Sequence, residues 1–419
     1  MHGHIITIGN ELVSGRVLDL NSWYAAGRLT ASGLSVTKIT SVGDDQEMAS
    51  QALKTALKTA RFVIVTGGLG STEDDLTCEI VANALDRPLC RDKQMFELIK
   101  GHAEERGVEI TPSLEKMAWM PEGSKMLNPA GTACGFFLKE KDVHLYFLPG
   151  VPDQMRYLLD KFVLPQILRQ YKTLPLIRQR IIKLYGLPEP DISEIFRGIK
   201  NKIGNDVILG FYPHFPENHI TASLRGENES TVMKELSRVE MEIRRLAGPY
   251  IFATENQTME EVVGQLLTQS RKTLSVAESC TGGLIGHRLT NVPGSSRYFQ
   301  GGVVVYSNGA KQDLLGVSHE ILKKHGAVSD PTAREMAKGV KAHLGADLGL
   351  AVTGIAGPDG GSKDKPVGTV HIGLAWDIDS RTEEYRFWGN REQVKSNTST
   401  MALDWLRRHL NGDSFLPGI

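Results

Sequence analysis

Between Ser275 and Lys311 the chain reads SVAESCTGGLIGHRLTNVPGSSRYFQGGVVVYSNGAK. Hydroxyl and thiol nucleophile candidates cluster at two places, Ser279-Cys280-Thr281 and Ser295-Ser296, and a phenol (Tyr306) and an amine (Lys311) follow. A serine becomes a nucleophile only beside a base, and a lysine serves as that base once burial lowers its pKa. Serine, lysine and tyrosine in one stretch therefore suggest amide or ester hydrolysis. The plainer alternative is a glycine turn with satisfied hydroxyl caps. Cys280 is the stronger nucleophile chemically, but no histidine stands at a diagnostic spacing, so it reads as a small buried residue.

The elements that would position these groups follow from pattern. Leu274 to Ala277 reads as the end of a buried strand, Gly282-Gly283 permits a tight turn, and LIGHRL starts a helix. Backbone N–H groups left unpaired at such a junction suit an oxyanion or a phosphate, so Thr281, Gly282 and Gly283 are candidate donors. GGVVVYS reads as a strand, ILKKHGAVS as a turn region, PTAREMAKGVKAHLG as a helix, LGLAVTG and TVHIGLAW as strands, and NREQVKSNTSTMALDWLRRHL as a closing helix. A mixed, helix-covered α/β sheet is expected.

The first third carries a second glycine loop, TGGLGSTEDDLT at 66–77, after the apolar run FVIV. Gly67, Gly68 and Gly70 would allow close backbone approach to a phosphate, and Asp74 and Asp75 offer oxygens that suit a hard cation. A glycine turn followed by helix-starting acids is the alternative. Strands at HIITIG, LSVTKITSVGDD and RFVIVT alternate with helical stretches, which predicts a parallel sheet covered by helices. Its site would lie at the strand carboxyl ends, gathering Asp44, Asp45 and the loop 67–75. From residue 173 the order changes to strand, helix, strand, strand, helix, ending in a helix at 231–247 whose basic residues alternate with Glu.

Composition narrows the classes. With 419 residues, two or three domains are expected. A formal net charge of −1 gives no electrostatic case for nucleic acid or an acidic membrane. No apolar run approaches a membrane span. Cys78, Cys90, Cys134 and Cys280 form no CxxC pair, so a reducing cytoplasm is expected.

AESCTGG (277–283), NVPGSSRYFQGGVVVYSNGAK (291–311), GAVS (326–329) and TGIAGPDGGSKDKPVGTV (353–370) closely resemble the nicotinamide mononucleotide deamidase domain at the C-terminus of CinA-family proteins. IGNELVSGRVLDLN, VGDD, TGGLGSTEDDLT, NPAGTACGF and FLPGVPDQM resemble the N-terminal domain of the same family, which is similar to the molybdopterin-binding fold of the MoaB/MogA proteins. The middle segment resembles a small KH-like α+β domain without the GXXG loop that clamps nucleotides. The resemblance implies a parallel-sheet three-layer domain at 1–172, a KH-like domain at 173–252 and a deamidase domain at 253–419. It also implies conversion of nicotinamide mononucleotide to nicotinic acid mononucleotide and ammonia, with metal-dependent cleavage of ADP-ribose at the N-terminal domain.

For the amidase half, the nucleophile is Ser279 or Ser296. Ser296 is favoured as partner of the Lys311 amine, with Tyr306 polarising the pair, and the reverse assignment stands close beside it. Thr353, Gly354 and the glycines from Gly357 onward would accept the ribose phosphate, with Arg391 as an anion clamp. No metal is expected there. For the N-terminal half, Glu11, Asp44, Asp74 and Asp75 are candidate ligands or bases for a divalent ion (Mg, Mn or Co), with Thr66 and the loop glycines lining the phosphates. Three departures from the family pattern stand here: Asn10 where an acid or Thr is usual, Ser71 for Pro, and Ala133-Cys134 for Ala-Pro. Expected partners are small nucleotides and a second copy of the chain, with neither nucleic acid nor membrane. The rival reading is a pterin- or nucleotide-binding protein without catalysis, acting in competence or DNA damage response.

Overall fold

The computed structural model describes residues 2–128, 134–170 and 176–416. The segment around 172/173 and most of NPAGTA, including Ala133, lie outside the described residues. The chain divides into two compact units, residues 1–178 with 225–232, and residues 179–224 with 233–419.

The first unit is built on a six-stranded sheet. Its strands are β1 (His2–Ile8), β2 (Ser35–Val42), β3 (Phe62–Thr66), β4 (Lys125–Met126), β5 (Phe136–Glu140) and β6 (Val143–Leu148), in the order β2-β1-β3-β6-β5-β4. Alternation of side chains sends Ile6, Ile8, Val63 and Val65 into one core and Ile5, Phe62 and Ile64 into another. Helix α1 (Leu20–Ala31) covers the second core through Ala25 and Leu29. Helix α2 (Gln46–Thr59) covers the first through Ala49, Leu53 and Ala56. Burial on both faces explains the unbroken apolar run of β3. The three layers match the expectation from sequence. The edge differs from all-parallel pairing: β6 runs parallel to β3, but β5 and β4 return antiparallel. Lys141, at φ 53°, turns the tight hairpin between β5 and β6.

The middle sheet joins β7 (Leu176–Leu184), β8 (Val207–His214), β9 (Glu217–Gly226) and β10 (Ile251–Ala253) in the order β8-β9-β7-β10. Its long helix Glu229–Ala247 carries the pairs Arg244–Glu240 and Arg245–Glu242, as expected for a solvated face.

The C-terminal sheet contains β11 (Leu274–Glu278), β12 (Phe299–Val304), β13 (Leu348–Gly354), β14 (Thr369–Trp376) and β15 (Asp379–Arg386), in the order β12-β11-β13-β14-β15. Strand β11 lies parallel to both neighbours, whereas β14 and β15 are antiparallel. On one face, α3 (Met259–Ser270) and α4 (Arg391–Asn411) bury Val263, Leu267, Met401 and Trp405 against Val276, Leu350 and Ile372. On the other, α5 (Asp330–His343) brings Met336, Ala337 and Val340 onto Ala277 and Ala351. Gly349 makes that approach possible, since a β-carbon there would lie 2.2 Å from the Ala337 carbonyl oxygen. Of the segment expected as a turn, ILKKHGAVS, the first five residues belong instead to a short helix, His319–His325, because Ser318 caps its first N–H groups, while 326–329 is non-helical.

Within α4 the fully buried Asp404 accepts from Arg407 Nε at 2.8 Å and Arg408 Nε at 2.6 Å. Removing the carboxylate would strand two buried guanidinium groups, so Asp404→Ala should cost about 3–5 kcal/mol in urea denaturation.

Candidate active site

Strands β11 and β12 end side by side, Glu278 opposite Val304. One residue further, Val305 N–H donates to the Glu278 carbonyl (2.8 Å), and Ser279 N–H donates to Val352 O of β13 (3.1 Å). Ser279 thus leaves the sheet at a fixed point. The helix Asn308–Leu315, capped by Ser307, then carries Lys311 back beneath it.

Lys311 is only 1% exposed, although it stands in the first turn of its helix. Its Nζ lies 2.8 Å from Val305 O, 3.3 Å from Tyr306 O and 3.2 Å from Ser279 Oγ. Burial pushes the amine below its usual pKa of 10.5, and the nearby Cys280 opposes this in part. The contact expected between Lys311 and Ser296 is absent. Ser296 sits exposed in the short helical turn Ser295–Arg297, while the strand ends place Ser279 over the amine. Tyr306 also differs from expectation. Its phenol is exposed and accepts from Arg391 Nη2 at 3.1 Å, so the amine meets the Tyr306 carbonyl rather than its hydroxyl.

The turn after Ser279 is held by Glu278, which is 2% exposed. Its carboxylate accepts from the N–H groups of Gly283 (3.0 Å), Ile285 (3.1 Å) and Gly286 (2.8 Å). Gly282 N–H is also engaged, with Ser279 O at 3.1 Å. Of the expected oxyanion donors, Gly282 and Gly283 are therefore occupied within the turn. Thr281 N–H and that of Cys280, which the sequence reading did not single out, donate to no oxygen among the described residues. Thr281 itself is fully buried, and its hydroxyl has no partner among the described residues. Burial pushes the Cys280 thiol up to about 12, which keeps it protonated and supports the structural role expected of it.

Facing this turn, Arg391 Nη1 donates to Gly357 O at 2.7 Å. Thr353, 1% exposed, gives its hydroxyl proton to Ala327 O (2.8 Å), tying the strand end to the GAVS segment. Gly354 ends β13 beside it, where a β-carbon would lie 2.8 Å from Thr369 O.

In the first unit a cavity of about 580 Å³ is lined by Glu11, Asp44, Gly67, Gly68, Gly70, Asp74 and Asp75, as the sequence predicts. Asp45 instead caps α2 through Met48 N–H. Gly67 has φ 107°, and a β-carbon on it would meet Ile8 O at 2.1 Å, so the loop folds back over the end of β1. Asp75 accepts from Thr72 N–H (2.9 Å) and hydroxyl (2.5 Å). Asp44 accepts from Asn10 N–H (2.9 Å), and Asn10 Oδ1 accepts from Asp44 N–H (3.2 Å). Asn10 thus acts as a clasp on Asp44. Hydrogen bonding from Thr72 holds the Asp74 carboxyl below its usual range. Among the described residues no three His, Cys, Asp or Glu side chains converge as a metal cage. The cavity's carboxylate oxygens are hard donors of the kind a divalent ion takes one or two at a time.

Glu278→Gln would replace one acceptor oxygen by an N–H₂ facing buried donors. A loss of about 1–3 kcal/mol is expected in chemical denaturation.

Three family models match the chain: "CinA C-terminal domain" over residues 256–410, "Probable molybdopterin binding domain" over 4–169, and "Damage-inducible protein CinA KH domain" over 179–253. A CinA-like protein of Desulfotalea psychrophila is 40% identical over 98% of this chain and 99% of its own length. One from Syntrophus aciditrophicus is 43% identical over 98% of both. Among solved structures, the competence/damage inducible protein CihA of Agrobacterium tumefaciens is 41% identical over 36% of this chain and 93% of its own, with a TM-score of 0.36. With full-length relatives at this identity and all three domain models in order, the chain belongs to the CinA family.

Proposed function

We propose that the C-terminal domain is a nicotinamide-nucleotide amidohydrolase with Ser279 as nucleophile and Lys311 as general base. The observation that carries this reading is the set of three oxygens around the Lys311 amine. As an ammonium, the group gives all three N–H donors to Val305 O, Tyr306 O and Ser279 Oγ. As a neutral amine it keeps two for the carbonyls and turns its lone pair to the serine hydroxyl. Lys311 then takes the Ser279 proton as the alkoxide attacks the carboxamide carbon. The oxyanion would lie against the N–H groups of Cys280 and Thr281, which no oxygen takes among the described residues and which lie toward the Cys280 sulfur. The ammonium of Lys311 protonates the departing amide nitrogen, which leaves as ammonia. Lys311 next deprotonates water, which opens the acyl-serine ester, and Ser279 recovers its proton. Nicotinamide mononucleotide as substrate rests on the family resemblance of the surrounding motifs.

For the N-terminal domain the proposal is ADP-ribose pyrophosphatase activity. One or two of Glu11, Asp44, Asp74 and Asp75 at a time would hold a divalent ion, which when bound would offset charge on the pyrophosphate oxygens. The loop of Gly67, Gly68 and Gly70 would position the phosphates. A second reading, nucleotide or pterin binding without turnover, is favoured by one observation: Asp44 and Asp75 are already committed to Asn10 and Thr72.

Lys311→Met should lower ammonia release by about 10²–10⁴-fold with the fold retained. Because the folded pKa is depressed, the amine is protonated and idle at low pH. Activity should therefore rise with pH through that depressed pKa and level off below 10.5, while stability should begin to rise at the depressed pKa and keep rising up to about 10.5, where the unfolded amine also loses its proton. An acidic optimum would rule out Lys311 as base. With EDTA, ammonia release should persist and ADP-ribose cleavage should stop. Metal-independent cleavage would remove the four carboxylates from the ligand role.

A further inference from the structure

Of the two cations in TGIAGPDGGSKDKPVGTV, Lys365 is half-buried and has no part in the chemistry above. The loop that carries it leaves β13 at Gly354 and returns to β14 at Thr369. Its neck is closed by Ile355 N–H on Thr369 O (2.8 Å) and Gly368 N–H on Ile355 O (2.7 Å). Beyond the neck, residues 358–364 are exposed, and Gly357 and Gly360 stand at φ 81° and 89°, so the loop's own backbone does little to fix it. Two side chains tie it down. Arg391 holds the Gly357 carbonyl. Lys365 Nζ donates to His325 O (2.8 Å) and Val328 O (2.6 Å). It pairs with no carboxylate among the described residues.

The carbonyls that Lys365 meets form a socket. All four successive carbonyls of 325–328 accept from side chains: the first and last from Lys365, Gly326 O from Ser329 Oγ (3.0 Å) and Thr332 Oγ1 (2.8 Å), and Ala327 O from Thr353. Thr353 follows Val352, whose carbonyl fixes Ser279. The socket is thus bonded to the strand end that sets the nucleophile, and Lys365 joins the loop to that socket. Ordering a glycine-rich loop costs backbone entropy, so losing one tie of this kind shifts it toward open conformations. We propose that Lys365 is a positioning residue of the amidase, clipping the 355–368 loop onto 325–328 so that it stays in place beside the strand end that carries Ser279. The kinetic consequence rests on the amidase reading, but the clip is testable without turnover.

Lys365→Met and Lys365→Arg would be compared with wild type as full-length proteins, with Lys365→Gln in place of the first should it not fold. Trypsin does not cut before proline, so position 365, followed by Pro366, is resistant in every variant, and loop opening is read as cleavage after Lys363. Lys365→Met should speed that cut about tenfold, with Lys365→Arg near the wild-type rate because a guanidinium can still donate to two carbonyls. In ammonia release from nicotinamide mononucleotide, Lys365→Met should raise KM about tenfold with kcat within about twofold, and Lys365→Arg should restore it. A fall in kcat at unchanged KM would overturn the proposal. So would cutting that speeds up equally at sites outside the loop, since that reports opening of the whole domain. If wild type releases no ammonia but the faster cut at Lys363 holds, the amidase reading falls and the clip stands. An unchanged rate of that cut overturns the clip whatever the activity.

Discussion

A lysine ammonium shut away from water without a counter-ion is costly, and the C-terminal domain is arranged around that cost. Lys311 is almost fully buried, yet its partners are three neutral oxygens. A carboxylate in their place would have stabilised the charged form and raised the pKa. Two carbonyls and a hydroxyl solvate the amine in either protonation state and so leave its basicity low. The nearby Cys280 thiol, itself pushed up by burial, offsets only part of this lowering.

The oxygens can be set this closely because they come from strand ends. Val305 and Ser279 are the first residues past two paired parallel strands, and each is fixed by a further backbone bond that prolongs the pairing. Glu278 finishes the arrangement by gathering the first free N–H groups of the next helix. One residue therefore ends a strand, caps a helix and fixes where Ser279 leaves the sheet. The glycines follow from this use: Gly282 and Gly283, at φ 64° and 96°, let the chain turn sharply enough for a side chain to cap the helix that follows it.

Much of this was legible in the sequence. The buried strand, the glycine turn and the helix after it follow from apolar runs and punctuation, and the triple-layered first domain follows from alternating strands and helices. The partner of Lys311 was not legible. Ser296 is nearer in sequence, but the deciding quantity is the register of β11 against β12, which linear spacing does not encode. The Tyr306 contact to Arg391 joins residues far apart in the chain for the same reason. Asn10 could be recognised as a departure from the family pattern, but its role as a clasp on Asp44 depends on where β1 and β2 end. The short helix at His319–His325 was signalled by Ser318, a capping residue in a stretch otherwise read as a turn.

The core of the C-terminal domain does not stop at its own sequence. Tyr185 and Phe252, from the middle sheet, are buried in the same cluster as Val276 and Trp405, and the Tyr185 hydroxyl donates to Asn397 O at 3.1 Å. Lys183, also from β7, donates to the carbonyls of Asn256 and Gln257 in the link between the two parts. A chain cut at that link would leave the C-terminal domain with an uncovered apolar surface and the middle sheet with an orphaned amine. The middle sheet therefore acts as part of the wall of the C-terminal domain rather than as a tethered module.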